Sequence, residues 1–461
     1  MAGYEGKGVL ALNELLAARG QMAFSLGFHM IFAALGVGMP MMMMLAERRW
    51  LQTRDESYRR LARTWAKATG LTFAIGAVSG TALSFELGLL WPRFMEFAGP
   101  AIGPAFTLEA FAFFLEAIFL GLYLYGWDRL SPRVHWWAGV PVAVSGAASS
   151  VLVVSANAWM QNPQGAELLV SNPAALDPLR ALFANPTWVQ MAIHSTLATY
   201  AATAFAVAGV YAWGALHGRR DAYHRNALRL AAAVALVVAV LMPLTGDRSA
   251  KLVARQQPAK LAAMESQFVS EEGAPLRIGG WPDVESQEVR YALEIPGGLS
   301  WLAFGSATAP VTGLDQIPRD EWPNVPVTHL SFQVMVGAGF AMLGVALWFA
   351  WVAWRRKRDP LGDTSLLWAM VAAGPLGFIA LETGWIVTEV GRQPWTVYGV
   401  MRTAEAVTPA AGIASTFLGF VLLYLLLGAT LVWLLLRLRQ PTAPEPSPGG
   451  SDEEVAGRVA G

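Results

Sequence analysis

The chain has 461 residues, of which 55% are hydrophobic and only 14% charged, with 19 Trp and no Cys. So much apolar surface excludes a soluble globular protein and makes this an integral membrane protein; Lys+Arg and Asp+Glu are both 33, so bulk charge suggests neither nucleic acid nor an acidic partner. The lack of Cys excludes disulfides, iron–sulfur clusters, thiolate haem ligation and covalent haem attachment within the chain.

The stretch MAGYEGKGVLALNELLAARGQMAF has neither a short basic leader nor a small-residue cleavage site ahead of the first long apolar run, which is expected to be a retained membrane helix. Apolar windows long enough to span, about 20 residues each, recur near residues 20–46, 65–91, 104–127, 134–160, 187–214, 228–246, 327–354, 365–388 and 412–436. The expected fold is all-α, with nine transmembrane helices. Its domains are helices one to six (1–246), a long polar loop (247–326), helices seven to nine (327–437) and a tail (438–461). The tail, rich in Pro, Gly and acid without apolar period, is expected to be disordered.

Lys and Arg in short connections set the orientation, because positive loops stay on the cytoplasmic side. The loop after the first helix carries Arg48, Arg49, Arg54, Arg59, Arg60, Arg63 and Lys67; that after the fifth carries Arg219, Arg220, Arg225 and Arg229; that after the seventh is Arg355, Arg356, Lys357, Arg358. The intervening loops hold few: Arg93, Arg180, Arg392 and Arg402. The N-terminus and the long loop are therefore expected outside and the C-terminus in the cytoplasm.

Polar groups inside membrane helices cost a few kcal/mol each and mark function by default. His135, His217 and His224 fall at cytoplasmic ends and His329 is interfacial, leaving His29 and His194 embedded. A lone embedded His is as often a hydrogen-bonded packing residue as a ligand, and most Met are packing, the run Met41 to Met44 included. Glu109 and Glu116 are seven apart on the third helix, hence on one face, and Glu382 and Glu389 repeat that spacing on the eighth. Interhelical hydrogen bonding, or an ion pair with Arg392, is the bland alternative. With the orientation above, His29, Glu109, Glu116, His194, Met335 and Glu382 all fall in the outer halves of their helices, which suggests one shared buried site. His194 and Met335 also flank the long loop at similar depth, where two axial ligands of a buried haem would be needed.

Several stretches carry a resemblance: GFHMIF around His29, TLEAFAFFLEAIFLGLYLYGWDR around Glu109 and Glu116, NAWMQNPQG, MAIHSTLATY around His194, KLAAMES in the long loop, FQVMVGAGF around Met335, and ETGWIVTEVGRQPW from Glu382. WMQNP and GRQPW together are highly specific. From the first helix through the ninth, the chain resembles subunit I of the cytochrome bd family of quinol oxidases. The resemblance implies a copper-free terminal respiratory oxidase of the bacterial inner membrane, which oxidises quinol, reduces dioxygen to water and contributes to proton motive force.

It further implies three haems. His194 and Met335 match the axial pair of the low-spin haem b558; His29 and Glu382 match the ligands of haem b595 and haem d, without fixing which serves which; Arg392 and Trp395 fall in the cofactor-binding GRQPW stretch. The long loop matches the quinol-binding Q loop, of the short type, with Lys260 and Glu265 at its functional positions and Gln257 and Asp247 as weaker matches. On spacing alone, Lys260 and Glu265 would read as a solvated helical pair. Implied partners are a second membrane subunit (subunit II), optionally a small single-helix subunit, ubiquinol or menaquinol, and dioxygen.

The chemistry of the residues agrees. A thioether opposite an imidazole fills both axial positions and raises the potential, whereas an oxygen-binding haem needs an open position; quinol oxidation releases protons, so it needs a base in reach of water. Two departures from the family pattern are Gln333, where Arg is common two before the axial Met, which bears on the haem potential, and Phe378, where related chains carry Trp. A b-type haem in place of haem d, as in cyanide-insensitive relatives, stays open. A haem–copper oxidase lacks its copper-ligating His here, and a proton-coupled transporter using Glu109, Glu116 and Glu382 leaves the His and Met positions unexplained. The inner halves of the helices offer essentially no Asp or Glu, only Tyr123, Tyr125, Tyr200 and Tyr211, so the cytoplasmic proton route to Glu109 and Glu116 is expected on, or at the interface with, the second subunit.

Overall fold

The structure, a computed structural model, describes residues 2–355 and 359–438. The expected disordered tail and the basic residues Arg356, Lys357 and Arg358 lie outside the described residues, apart from the helical backbone at residue 438.

Helices dominate. The chain opens with α1 (Ala2–Thr53), α2 (Glu56–Leu90), α3 (Pro92–Tyr125) and α4 (Pro132–Gln161), then two short pieces, α5 (Ala166–Ser171) and α6 (Pro178–Phe183). α7 (Pro186–Leu216) and α8 (Ala222–Gln256) lead into α9 (Pro258–Glu265) and α10 (Gly298–Phe304) of the long loop. α11 (Val325–Arg355), α12 (Thr364–Ala373), α13 (Leu376–Val390), α14 (Thr403–Ala406) and α15 (Ile413–Leu438) follow. Among the described residues nine spans are long and apolar enough to cross a membrane, with Thr364–Val390 counted as one.

Local chemistry sets the helix starts. Asp55, Asn185, Asp221 and Asp363 accept backbone N–H groups of the first turns of α2, α7, α8 and α12, and Pro stands at the start of α3, α4, α7 and α9, where its missing N–H costs nothing. Pro375 divides α12 from α13, because it has no N–H to continue the ladder. Small residues let backbones approach: a Cβ on Gly377 would sit 2.5 Å from Ala202 Cα, and one on Gly38 2.1 Å from Thr203 Oγ1.

Two helix boundaries differ from the apolar windows. α8 runs to Gln256, so Asp247 lies within a helix, paired with Lys251 at 2.7 Å, and the loop proper begins at Gln257. α1 runs to Thr53, so Glu47 lies inside it. Amphipathic last turns blur an apolar window although the backbone stays helical.

The basic loops gather at one end of the bundle. Asn226 Nδ2 donates to Asp55 and Ser57, and Arg225 Nε meets Asp359 at 2.8 Å, tying the α1–α2, α7–α8 and α11–α12 connections together. The long loop occupies the other end as nested antiparallel pairs. β1 (Glu271–Glu272) pairs with β6 (Pro310–Val311), β2 (Leu276–Ile278) with β5 (Leu293–Ile295), and β3 (Trp281–Asp283) with β4 (Glu288–Arg290). Two small apolar clusters, one around Leu261, Leu299 and Val311 and one around Ala262, Phe268 and Leu314, bury both faces of α9. A last pair, β7 (Trp395–Val397) with β8 (Met401–Arg402), precedes α15.

Candidate functional site

α7, α8, α11 and α13 pack as a four-helix group in which α8 and α13 each touch both α7 and α11. His194 on α7 and Met335 on α11 are thus carried by helices on opposite corners, an arrangement that suits a flat group held between facing side chains. His194 Nδ1 lies 2.9 Å from Thr245 Oγ1, and that hydroxyl donates its one proton to the Met242 carbonyl at 3.1 Å. With the hydroxyl proton on that carbonyl the imidazole donates from Nδ1, the tautomer that leaves the Nε2 lone pair free for a metal. A Cβ on Gly384 would come 3.0 Å from Met335 Sδ, so α13 is bare where the thioether lies.

His29 repeats this logic on another pair of helices. Its Nδ1 lies 3.0 Å from Ser79 Oγ, and with that hydroxyl donating to the Gly76 carbonyl at 3.1 Å the ring donates from Nδ1 and keeps the Nε2 lone pair. Gly80 faces the ring: a Cβ there would meet His29 Cε1 at 2.9 Å. Glu382 comes across from α13, with Oε2 3.4 Å from where a Cβ on Gly27 would lie, two residues from His29. Its Oε1 is buried with no hydrogen-bond partner among the described residues. The donors fit haem iron: two imidazoles with oriented second nitrogens, a thioether and an unpartnered carboxylate.

Glu109 and Glu116 both face α4. Ser149 donates to Glu109 at 2.8 Å, while Glu116, 5% exposed, packs its carboxyl against Gly146 and leaves Oε1 without a partner among the described residues.

The loop helix α9 joins the two specific motifs. Gln257 Nε2 donates to the Gln161 carbonyl at 2.6 Å, and Lys260 Nζ donates to Gln161 Oε1 at 2.5 Å and to the Thr388 carbonyl at 3.2 Å. Asn157 Nδ2 donates to Glu389 at 2.5 Å, and Glu389 also pairs with Arg392, whose Nε donates to the Trp395 carbonyl. WMQNP and GRQPW are therefore one hydrogen-bonded unit with Lys260 at its centre. Arg392 is 3% exposed and its Nη1 is unpartnered among the described residues, which leaves a buried charged donor able to take an anion.

Lys260 and Glu265 are each 4% exposed, which overturns the solvated helical pair. Burial and, secondarily, the Arg392 cation bring the Lys260 ammonium down to about 7, against the pull of Glu389. Burial pushes the Glu265 carboxyl up to about 7, with Arg277 opposing. Both groups change charge near neutral pH, which suits proton exchange. Glu265 Oε2 and Gln257 Oε1 are buried and unpartnered among the described residues. Asp247 is not brought to this cluster.

The structure gives further residues a role. Gln161 is the hub of the loop contact; Ser79 and Thr245 orient the imidazoles; Gln333 accepts from Gly279 N–H and donates to the Arg277 carbonyl, so it clamps the β2–β3 turn to α11. His329 is fully buried and bonds the Met264 and Gly279 carbonyls. At the basic-loop end Glu47 is 0% exposed and receives Tyr123 Oη at 2.5 Å and His135 Nδ1 at 2.8 Å. This corrects the expectation that the helices carry essentially no acid toward that end. The signal lay in spacing: Glu47 falls just past the first apolar window, where an acid looks like a loop residue.

The family described as cytochrome bd terminal oxidase subunit I matches residues 17–442. The chain is 38% identical over 431 residues to a putative cytochrome bd menaquinol oxidase subunit I of Bacillus subtilis, covering 92% of this chain and 96% of that one. It is 33% identical to the cytochrome bd ubiquinol oxidase subunit 1 of the same organism, covering 92% and 93%. Among solved structures, the bd oxidase from Geobacillus thermodenitrificans matches with a TM-score of 0.87 and 40% identity, over 93% of this chain and 99% of that one.

Proposed function

The chain belongs to the cytochrome bd terminal oxidase subunit I family, and is thus a bacterial multi-pass membrane protein of a haem-containing quinol oxidase that works with a second subunit; from that premise we propose how its residues divide the work. The observation that carries the reading is Lys260 and Glu265, both buried on one short helix seated on Gln161, and both changing charge near neutral pH. Glu265 is the base that takes a quinol proton, and Lys260 holds a quinol oxygen beside Gln257; Asp247, out on α8, has no part.

His194 and Met335 hold the low-spin haem b558, with Thr245 fixing the imidazole. His29 and Glu382 hold haem b595 and haem d, or a b-type haem in its place. When bound, these groups take electrons singly from quinol and deliver them to dioxygen. Arg392, with Nη1 left without a partner among the described residues, would hold a haem carboxylate, and Trp395 anchors the guanidinium through its carbonyl. Glu116 and Glu109, with Ser149 between α3 and α4, pass protons toward that site. The long-loop face lies outside and the basic-loop face in the cytoplasm, so the outward release and inward uptake of protons contribute to proton motive force.

Pigment extraction with reduced-minus-oxidised spectra of the two-subunit complex tests the ligand set. His194→Ala or Met335→Leu loses the low-spin signal and keeps a carbon-monoxide-binding haem. A full low-spin spectrum in either variant would sink the assignment.

A further inference from the structure

One buried acid stands outside every role above. Glu86 on α2 is 1% exposed; Ser25 Oγ donates to its Oε1 at 2.8 Å and Gln21 Nε2 at 3.2 Å, both from α1. Its Oε2 has no partner among the described residues. From α15, Tyr424 brings a second buried polar group: it is 0% exposed, and its hydroxyl lies beside Ser25 and near Glu86. Thr416 of α15 donates to Gln21 Oε1 at 3.0 Å, and Glu14 of α1 accepts the first N–H groups of α15, so the cluster is tied toward the long-loop face.

A purely structural contact between α1 and α2 would use one acceptor. It would not bury a second carboxyl oxygen without a partner in an apolar interior. The cluster also shares its seam with a candidate haem ligand. Ser25 is one helical turn from His29 on α1. Ser79, which holds His29 Nδ1, is seven residues from Glu86 on the same face of α2, a rise of about 10 Å.

We propose that Glu86, with the Tyr424 hydroxyl nearby, is a proton-binding site that takes up one proton when the haem held by His29 is reduced. The idea rests on the assignment of His29 as a ligand. Quinol supplies the electron, and the proton enters from the aqueous phase along Thr416 and Gln21. The carboxylate becomes a neutral carboxyl with its new O–H on Oε2, the oxygen that has no partner among the described residues. Reoxidation returns the proton by the same path. In a low-dielectric interior an added electron is compensated by the nearest group that can change charge. The charged or titratable groups on the packed helices toward this end are Glu14, Arg19 and His29 of α1, Arg93 and Glu96 of α3, and Tyr424 of α15.

Redox-difference infrared spectra of the complete oxidase test this. Reduction should raise a deuterium-sensitive carboxyl C=O band that is absent in Glu86→Gln and displaced in Tyr424→Phe. The pH dependence of the high-spin haem potential should flatten in Glu86→Gln, which keeps the acceptor for Ser25 and Gln21 but cannot titrate. An unchanged band and slope in that variant, with full haem, would overturn the proposal. If Glu86→Gln fails to hold haem, Tyr424→Phe decides, a displaced band supporting the site and an unchanged one overturning it. His29→Ala separates the two claims: retention of every haem there would refute the ligand assignment, while loss of the band in Glu86→Gln would still place a redox-linked proton on Glu86.

Discussion

Arg277→Gln should move the acid limb of quinol oxidation to higher pH by about one unit. The Arg277 guanidinium donates to Gln267 Oε1 at 2.7 Å and to the Ser266 carbonyl at 3.5 Å, just after Glu265 in the chain. Its positive charge opposes the burial that pushes Glu265 up to about 7. Two charges ~8 Å apart at an effective dielectric of ~20 interact by roughly 2 kcal/mol, or about 1.5 pH units. Arg277 also meets Glu294 at 2.9 Å, which cancels part of its field and leaves about one unit. The sign follows directly. Without the cation Glu265 holds its proton to higher pH, the base form appears later, and the limb shifts alkaline. The turn itself should stay in place, because Gln333 holds the Arg277 carbonyl and not its side chain. The assay is steady-state quinol oxidation against pH, with an artificial donor that bypasses the quinol site as control. Arg277→Lys should restore the limb. An Arg277→Gln enzyme with full haem and an unmoved limb would refute the reasoning.

Thr245→Val removes the acceptor that fixes the His194 tautomer and should weaken retention of the low-spin haem by ~10–100-fold, read as pigment lost on dilution. Gly384→Val puts carbon 3.0 Å from Met335 Sδ and should replace the low-spin spectrum by a high-spin one, with the other haems retained. Glu47→Ala leaves Tyr123 Oη and His135 Nδ1 without their acceptor in a fully buried site and should cost about 3 kcal/mol, seen as a lower Tm of the complex, with Glu47→Gln milder.

The membrane architecture was legible because each span must be apolar over its whole length, and Pro or Asp at the starts fixed the caps. The ends were not, because α8 continues ten residues past its apolar window, from 246 to 256, through an amphipathic stretch. The strands of the long loop have two or three residues each, too few for any alternation to register. In the site, His29, His194 and Glu382 stood out because isolated polar groups in apolar helices are costly. Lys260 and Glu265 looked solvated at five-residue spacing. Their burial depends on the clusters that enclose both faces of α9, contributed by residues as far along the chain as Val325. Glu86 and Glu47 sit in the end turns of their helices, where an acid carries no visible cost in sequence. Gln333 clamps a turn of the long loop, a role that depends on tertiary contact alone.

The central claim is that quinol is oxidised at α9 and that its electrons enter through the haem between His194 and Met335. The most direct test follows reduction of the low-spin haem by quinol and by an artificial donor in Glu265→Gln and Lys260→Ala. The account predicts intact haem spectra, normal reduction by the artificial donor and strongly slowed reduction by quinol in both variants. Wild-type quinol rates in both would contradict it.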